Sequence, residues 1–443
     1  MRFLPTIVAV AFICMQPAVS LAQDDVSRVL ITDVNLFDGQ SGELSMHRDV
    51  LVEGNKIKSI GQDLARPEGA LVVRGDGRTL MPGLIDAHVH LSWNTGGSQF
   101  VDGHPDYIAA LGLVEAENTL MRGVTTIRDT AGAVRGISQA IDEGYHKGPR
   151  IYSAGAALSM TSGHGDFRNR NLRPRQFGGP GETEMERLGL VVFADGVPEV
   201  LSASREQFRQ GAHFLKIFAG GAVSGLRDPL DVAEYSQEEL NAAAGEAKRW
   251  NTYLAVHAYT DRSVASALNA GAMSIEHANL LTEQTMKLLA EKGAFLSVQT
   301  VFFLAHLPDS FSGAQKARQH EAAEGLDNMM KLAKKYKIKV AFGTDLVGSM
   351  KLKAAELQEF TNRTKWFTPA EILAQATSVN GELLALSGPR NPYPGKLGVI
   401  EPGALADLLL VDGNPLENIE LMTDADKNFV LIMKDGVIYK NTL

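Results

Sequence analysis

The stretch Gly83-Leu-Ile-Asp-Ala-His-Val-His90 decides the fold. It begins as an apolar run and ends on two histidines one residue apart. Successive side chains of a strand point to opposite faces, so His88 and His90 share a face and can offer two imidazoles to one metal ion. Taken alone, such a pair is equally compatible with core or surface histidines. The rest of the chain supplies the context. Short apolar segments recur at 125–129, 150–154, 214–218, 253–257, 274–277, 294–298 and 339–345, and helical patterns lie at 106–122, 236–250, 261–269, 282–292 and 317–335. With 83–90 this makes eight strands. Strands alternating with helices imply a parallel sheet, and eight of them imply a closed barrel, so the expected fold is α/β, a (β/α)8 TIM barrel. The long stretches 155–207 and 299–316 come after the third and seventh strands, where barrels carry their substrate loops.

Outward from this centre both ends of the chain turn β-rich. Residues 29–36, 49–52, 56–60 and 71–73 read as short strands separated by turns such as Glu53-Gly-Asn55, and 406–411 and 428–433 precede a hairpin turn at Lys434-Asp-Gly436. Two β-rich ends flanking an alternating middle predict a small discontinuous β-sandwich domain, built from 23–82 and 389–443 around a barrel over 83–388. The first 22 residues carry Met1-Arg2, an apolar run from Phe3 to Cys14 and a small-residue ending at Ser20-Leu-Ala22. That is an export signal, with cleavage expected after Ala22 and a periplasmic or secreted location. A membrane span needs about 20 apolar residues, so no stable membrane anchor is expected.

Cys14 is the chain's one cysteine, and it lies in that leader. Thiolates therefore play no part in the mature protein, and a metal would have to sit on histidine, carboxylate or less usual ligands. The chain has 43 basic and 52 acidic residues, a formal charge of −9, with no basic cluster. This balance argues against a nucleic-acid partner.

His257 and His277 each occupy the last position of a predicted strand, and Asp345 ends the eighth. With His88 and His90, four histidines and a carboxylate then converge on one face of the barrel, a donor set that suits zinc or a similar divalent ion. Lys216, in Phe214-Leu-Lys-Ile-Phe218, stands alone in an apolar strand. A buried ammonium is costly, which leaves two readings. Lys216 is either a lysine snorkelling to the rim or one whose depressed pKa lets it react with carbon dioxide to give a carbamate.

The segment Leu80-Met-Pro-Gly-Leu-Ile-Asp-Ala-His-Val-His90 resembles the first-strand signature of the amidohydrolase superfamily. Gly395-Lys-Leu-Gly-Val-Ile-Glu-Pro-Gly-Ala-Leu-Ala-Asp-Leu-Leu-Leu-Val-Asp412 is similar to that family's return to the β-sandwich. The resemblance implies two divalent metal ions, zinc first with Mn2+ or Co2+ as alternatives. His88 and His90 would bind the more buried ion and Asp345 would complete its site; carbamylated Lys216 would bridge, and His257 and His277 would bind the second. Ser162-Gly-His-Gly165, Lys216-Ile-Phe-Ala-Gly-Gly-Ala222 and Tyr235 in Glu234-Tyr-Ser-Gln-Glu238 look like the branch holding Xaa-Pro dipeptidases, metallo-carboxypeptidases and imidazolonepropionase-like proteins. By that likeness His164 and Tyr235 would contact a substrate carboxylate or carbonyl; packing roles in the loops are the alternative. Among Arg168, Arg170, Arg173 and Arg175, one guanidinium fork could clamp a carboxylate.

The implied activity is hydrolysis of the amide bond of a small-molecule dipeptide or N-acyl amino acid with a free carboxylate. A water shared by the two ions would attack, and Asp345 would carry the proton. Opening of a lactam, hydantoin or imidazolone-type ring is the second reading, and a non-catalytic barrel scaffold the third. The large exposed faces of a barrel leave a homo-oligomer open.

Overall fold

Strand Leu84–Val89 pairs in parallel with Val124–Asp129, which pairs with Arg150–Ser153. A second parallel run continues through Ala157–Ser159, Leu215–Phe218, Leu254–Thr260, Ser274–Leu280, Phe295–Val298 and Val340–Phe342. Two seams close the ring. The amide of His213 donates to the carbonyl of Ser153 at 2.8 Å, and the amides of Thr344 and Asp345 donate to the carbonyl of His88 at 3.3 and 2.8 Å. All eight expected barrel strands are present in this computed structural model, which describes residues 27–96, 102–305 and 311–443; the expected leader lies outside them.

The strands are buried on both faces, as parallel strands under a coat of helices must be. Leu254–Thr260 has a single partly exposed residue, its last. Outside them, the helices Val197–Arg209, Gln237–Arg249, Asp261–Ala270 and Glu283–Lys292 pack each on the next. Ser236 starts the second of these with a capping box to Glu239, satisfying amides that the first turn leaves without partners.

One departure from the expected strands lies at the third. It breaks at Gly155, whose φ of +70° few other residues adopt, and resumes as Ala157–Ser159 alongside Val191–Phe193. The latter is a three-residue strand inside a stretch read as loop.

The two chain ends interleave in one sheet. Its order is Val437–Asn441, Phe429–Lys434, Leu408–Val411, Thr79–Pro82, Arg28–Leu36, Ser45–Glu53 and Lys56–Gly61, with Leu71–Arg74 also on Arg28–Leu36. Thr79–Pro82, which runs straight on into the first barrel strand, pairs antiparallel with Leu408–Val411 and so joins the ends. The sheet folds over a core of its own that includes Val50, Leu80, Leu410 and Leu431. The hairpin turn at Asp435-Gly436 has positive φ at both residues, 56° and 73°, as a tight two-residue turn between twisted strands requires. Among the described residues no helix is long and apolar enough to cross a membrane.

Candidate metal centre

The C-terminal ends of the barrel strands bring His88, His90, Lys216, His257, His277 and Asp345 to one cavity of about 630 Å³. His88 Nε2 and His90 Nε2 lie 3.5 and 3.2 Å from Asp345 Oδ1, and these three residues are spaced to hold one ion. The His277 ring centre is 5.2 Å from that of His88 and 4.6 Å from that of His257, so the second pair adjoins the first. His277 and Asp345 both take left-handed backbone, with φ of 72° and 52°. Such conformations in non-glycine residues are strained and gather at functional sites.

Each imidazole is turned by a partner behind it. His88 Nδ1 meets Glu276 Oε2 at 2.8 Å, His90 Nδ1 meets the carbonyl of Ala131 at 2.9 Å, and His277 Nδ1 meets Gln299 Oε1 at 2.7 Å. All three leave Nε2 for the cavity. His257 has its Nε2 3.4 Å from the carbonyl of Gly221, which leaves Nδ1. Backing of this kind fixes tautomer and ring orientation in metal sites. Burial pushes His88 down to about 4 and His277 to about 3, and it holds His257 well below the ordinary value. The rings are therefore neutral at pH 7, the state in which imidazole binds metal.

Beneath His88 lies a buried ion pair. Arg128 Nη2 donates to both oxygens of Glu276 at 2.8 Å. Burial alone would raise the Glu276 carboxyl, but the Arg128 guanidinium holds it well below the usual carboxylate range. Asp86 accepts from the amides of His88 and Thr344 and from Thr344 Oγ1, at 2.9, 3.2 and 2.6 Å, and so stitches the first strand to the eighth. Burial lifts its pKa to about 8. Lys353 Nζ donates to the carbonyl of His90 at 2.6 Å. Gln299, Arg128, Glu276, Asp86 and Lys353 all support the centre, and no sequence pattern singled them out.

Burial brings the Lys216 amine down to about 8, with Nζ 5.9 Å from the centre of the Phe218 ring. Burial would raise Asp345, but His88 and the His90 hydrogen bond hold it well below the carboxylate range. The donor set of four imidazoles, one carboxylate and one deprotonatable lysine fits divalent metal.

Of the two residues expected to touch substrate, His164 lines the cavity and Tyr235 does not. His164 stacks on His257 with ring centres 4.5 Å apart, and its Nδ1 meets Asp228 Oδ2 at 3.2 Å. Tyr235 takes a left-handed φ of 63° and packs into the main core. None of the four loop arginines lines the cavity. Arg168 is paired with Asp166, Arg175 faces Glu186 and Glu199, and Arg170 and Arg173 are exposed.

A barrel with histidines and a carboxylate gathered at its strand C-termini belongs to the metal-dependent hydrolases. The chain is a member of the amidohydrolase family, whose model matches residues 79–440. It is 30% identical to the ochratoxinase of Aspergillus niger over 450 residues, 95% of this chain and 88% of the relative. A prolidase solved with N-methylphosphonate-L-proline superposes with a TM-score of 0.87 at 32% identity, covering 94% of this chain and 100% of that one. The solved A. niger ochratoxinase gives 0.82 at 26%, covering 94% and 96%, and a Xaa-Pro dipeptidase with bound methionine gives 0.79 at 26%, covering 94% and 100%. The protein is a hydrolase acting on C–N amide bonds of small molecules.

Proposed function

We propose that this hydrolase cleaves a dipeptide or N-acyl amino acid that carries a free carboxylate. The carrying observation is the convergence of His88, His90 and Asp345 beside Lys216, His257 and His277 on the floor of one cavity with His164 in its wall. The relatives named for prolidase, Xaa-Pro dipeptidase and ochratoxinase activity support the amide.

His88, His90 and Asp345 would hold one divalent ion and His257 and His277 a second, with zinc the first choice and manganese or cobalt the alternatives. The neutral amine of Lys216 would add to carbon dioxide and lose a proton, giving a carbamate that would serve as a further metal ligand. Bound there, divalent metal would lower the pKa of a water and polarise the substrate carbonyl. Asp345 takes the proton released as water attacks and delivers it to the departing nitrogen. His164, its Nδ1 proton held by Asp228, has Nε2 left to meet the substrate carboxylate or carbonyl. The leader pattern supports export to the periplasm or medium, tested by finding Gln23 at the mature N-terminus.

The decisive experiment incubates zinc- or manganese-loaded protein with dipeptides and N-acyl amino acids, beside hydantoins and lactams. Release of free amino acid that a chelator abolishes is expected. Turnover of the cyclic compounds alone would replace this reading with ring opening.

A further inference from the structure

We infer that the acyl half of the substrate is a bulky, uncharged, aromatic or otherwise apolar group, and that free dipeptides, with their α-ammonium, are the poorer substrates. The inference rests on the amide-hydrolase reading above and narrows it. Among the described residues lining the cavity, Asp345 is the one carboxylate, and it lies against His88 and His90 on the floor. Lys216, as a carbamate, adds no positive charge, so His164 is the group outside the proposed ligand set that can meet a substrate carboxylate, and the other polar side chains of the lining, Ser224, Tyr259, Gln315 and Ser349, are uncharged. A substrate carboxylate therefore has His164 as a partner, and a substrate ammonium finds no free anion to pair with among the described residues of this cavity. An unpaired charge taken out of water is strongly disfavoured.

Most of the remaining wall is apolar, and its large apolar side chains come from five different loops. Trp93, Phe167, Leu226, Phe302, Val347 and Leu352 lie beyond the first, third, fourth, seventh and eighth strands. Trp93 and Phe167 meet edge to face with ring centres 6.1 Å apart, a geometry that accepts another ring. At about 630 Å³ the cavity is in the range that encloses a drug-sized ligand, larger than an acetyl or glycyl group needs.

The test uses metal-loaded full-length protein and substrates matched in the leaving amino acid (leucine, proline, methionine and phenylalanine). 3-Phenylpropanoyl-amino acids are compared with the corresponding L-phenylalanyl dipeptides, which differ only by the α-ammonium, and with N-acetyl-amino acids, which lack the ring. The phenylpropanoyl compounds should lead the dipeptides in kcat/KM by about 10²-fold or more at pH 6, since a site without the partner a group requires rejects it strongly. They should lead the acetyl compounds by at least about tenfold. The dipeptide deficit should shrink as pH rises through the α-amino pKa of about 8, where the ammonium becomes a neutral amine. Dipeptides that match or exceed their acyl partners at pH 6, or acetyl compounds that match phenylpropanoyl ones, overturn the inference and leave the amide reading standing. Silence of all three series under a chelator-sensitive turnover of cyclic amides would instead defeat the amide reading and this inference together.

Discussion

Lys216 is the residue where chemistry and burial most directly meet. Burial brings its amine down to about 8, where roughly half is neutral and able to add carbon dioxide in the proposed carbamate, so Lys216→Ala should lose most activity and regain part of it with added short-chain carboxylate; unchanged turnover would exclude the bridging role. Asp345→Asn keeps a ligand oxygen but loses the proton acceptor, so kcat should fall about 10²–10⁴-fold while metal is still bound. Gln299 acts through other residues: its Oε1 accepts from His277 Nδ1 and its Nε2 sits 3.3 Å from His88 Nδ1, one amide behind a proposed ligand of each proposed ion. Gln299→Leu should weaken metal binding about 10–100-fold in chelator competition, and Gln299→Glu, which keeps the acceptor, should not. Equal affinity in parent and leucine variant would remove Gln299 from the centre's support. The six proposed ligand positions are legible in the sequence because each couples a donor residue type with a barrel strand or the turn just after it, although only roughly: Lys216 lies within Leu215–Phe218, the strands of His257 and His277 run on to Thr260 and Leu280, and Asp345 lies past the end of Val340–Phe342. Gln299 is not, since an amide in Ser297-Val-Gln299 has no residue-type signature, and Arg128 and Glu276 gain meaning only once the barrel brings two strands' interiors together. Tyr235 shows the converse: its neighbourhood in sequence suggested substrate contact, while the left-handed turn after Glu234 sends it into the core.

Secondary-structure elements were the most readable level, because buried parallel strands are short apolar runs and their helices carry ordinary caps. The stretch 155–207, read as loop, holds more order than that: Val191–Phe193 is three residues long, too short for any periodicity to register, and the helix Val197–Arg209 follows it. Gly436, at a hairpin turn, and Gly245, inside a helix, should respond to the same substitution with opposite signs. At Gly436, φ is 73° and an added Cβ would sit 1.9 Å from the carbonyl oxygen of Gly54. Gly436→Ala should therefore cost more than about 2 kcal/mol, from left-handed strain and a clash with backbone that cannot move aside. Gly245, inside the helix Gln237–Arg249, has nothing within 4 Å of its would-be Cβ. There alanine should stabilise by about 0.5–1 kcal/mol through helix propensity and a less free unfolded chain. Urea midpoints moving in opposite directions at constant m would bear this out; a stable Gly436→Ala protein would mean that the hairpin turn can re-form in another conformation.

At the scale of the whole molecule, sheet and barrel are tied together. Thr79–Pro82 leads into the first barrel strand, and the buried Arg150 of the third reaches Asp407 of the C-terminal segment at 3.0 Å. Stability is then a property of the whole chain, and one buried acid gives it a definite pH dependence. Glu234 Oε1 accepts from the amide of His164 at 2.8 Å, while its Oε2 is buried without a hydrogen-bond partner among the described residues. Burial, with Asp228 nearby, pushes its pKa to about 9. The folded protein therefore keeps a proton there that the unfolded chain releases above its ordinary value of 4.5. Where the folded state binds more protons than the unfolded one, stability falls as pH rises. This contribution should be fully present below about 4.5 and be lost progressively up to about 9. Glu234→Gln keeps the Oε1 acceptor for His164 and carries no charge to bury. Its melting temperature relative to the parent should climb steadily from pH 6 to pH 9. A constant difference across that range would mean that Glu234 is already ionised in the folded protein, with a cation or solvent reaching Oε2. A rising difference sets a limit on the enzyme itself, because the alkaline pH that frees the Lys216 amine is the pH at which Glu234 weakens the fold around His164.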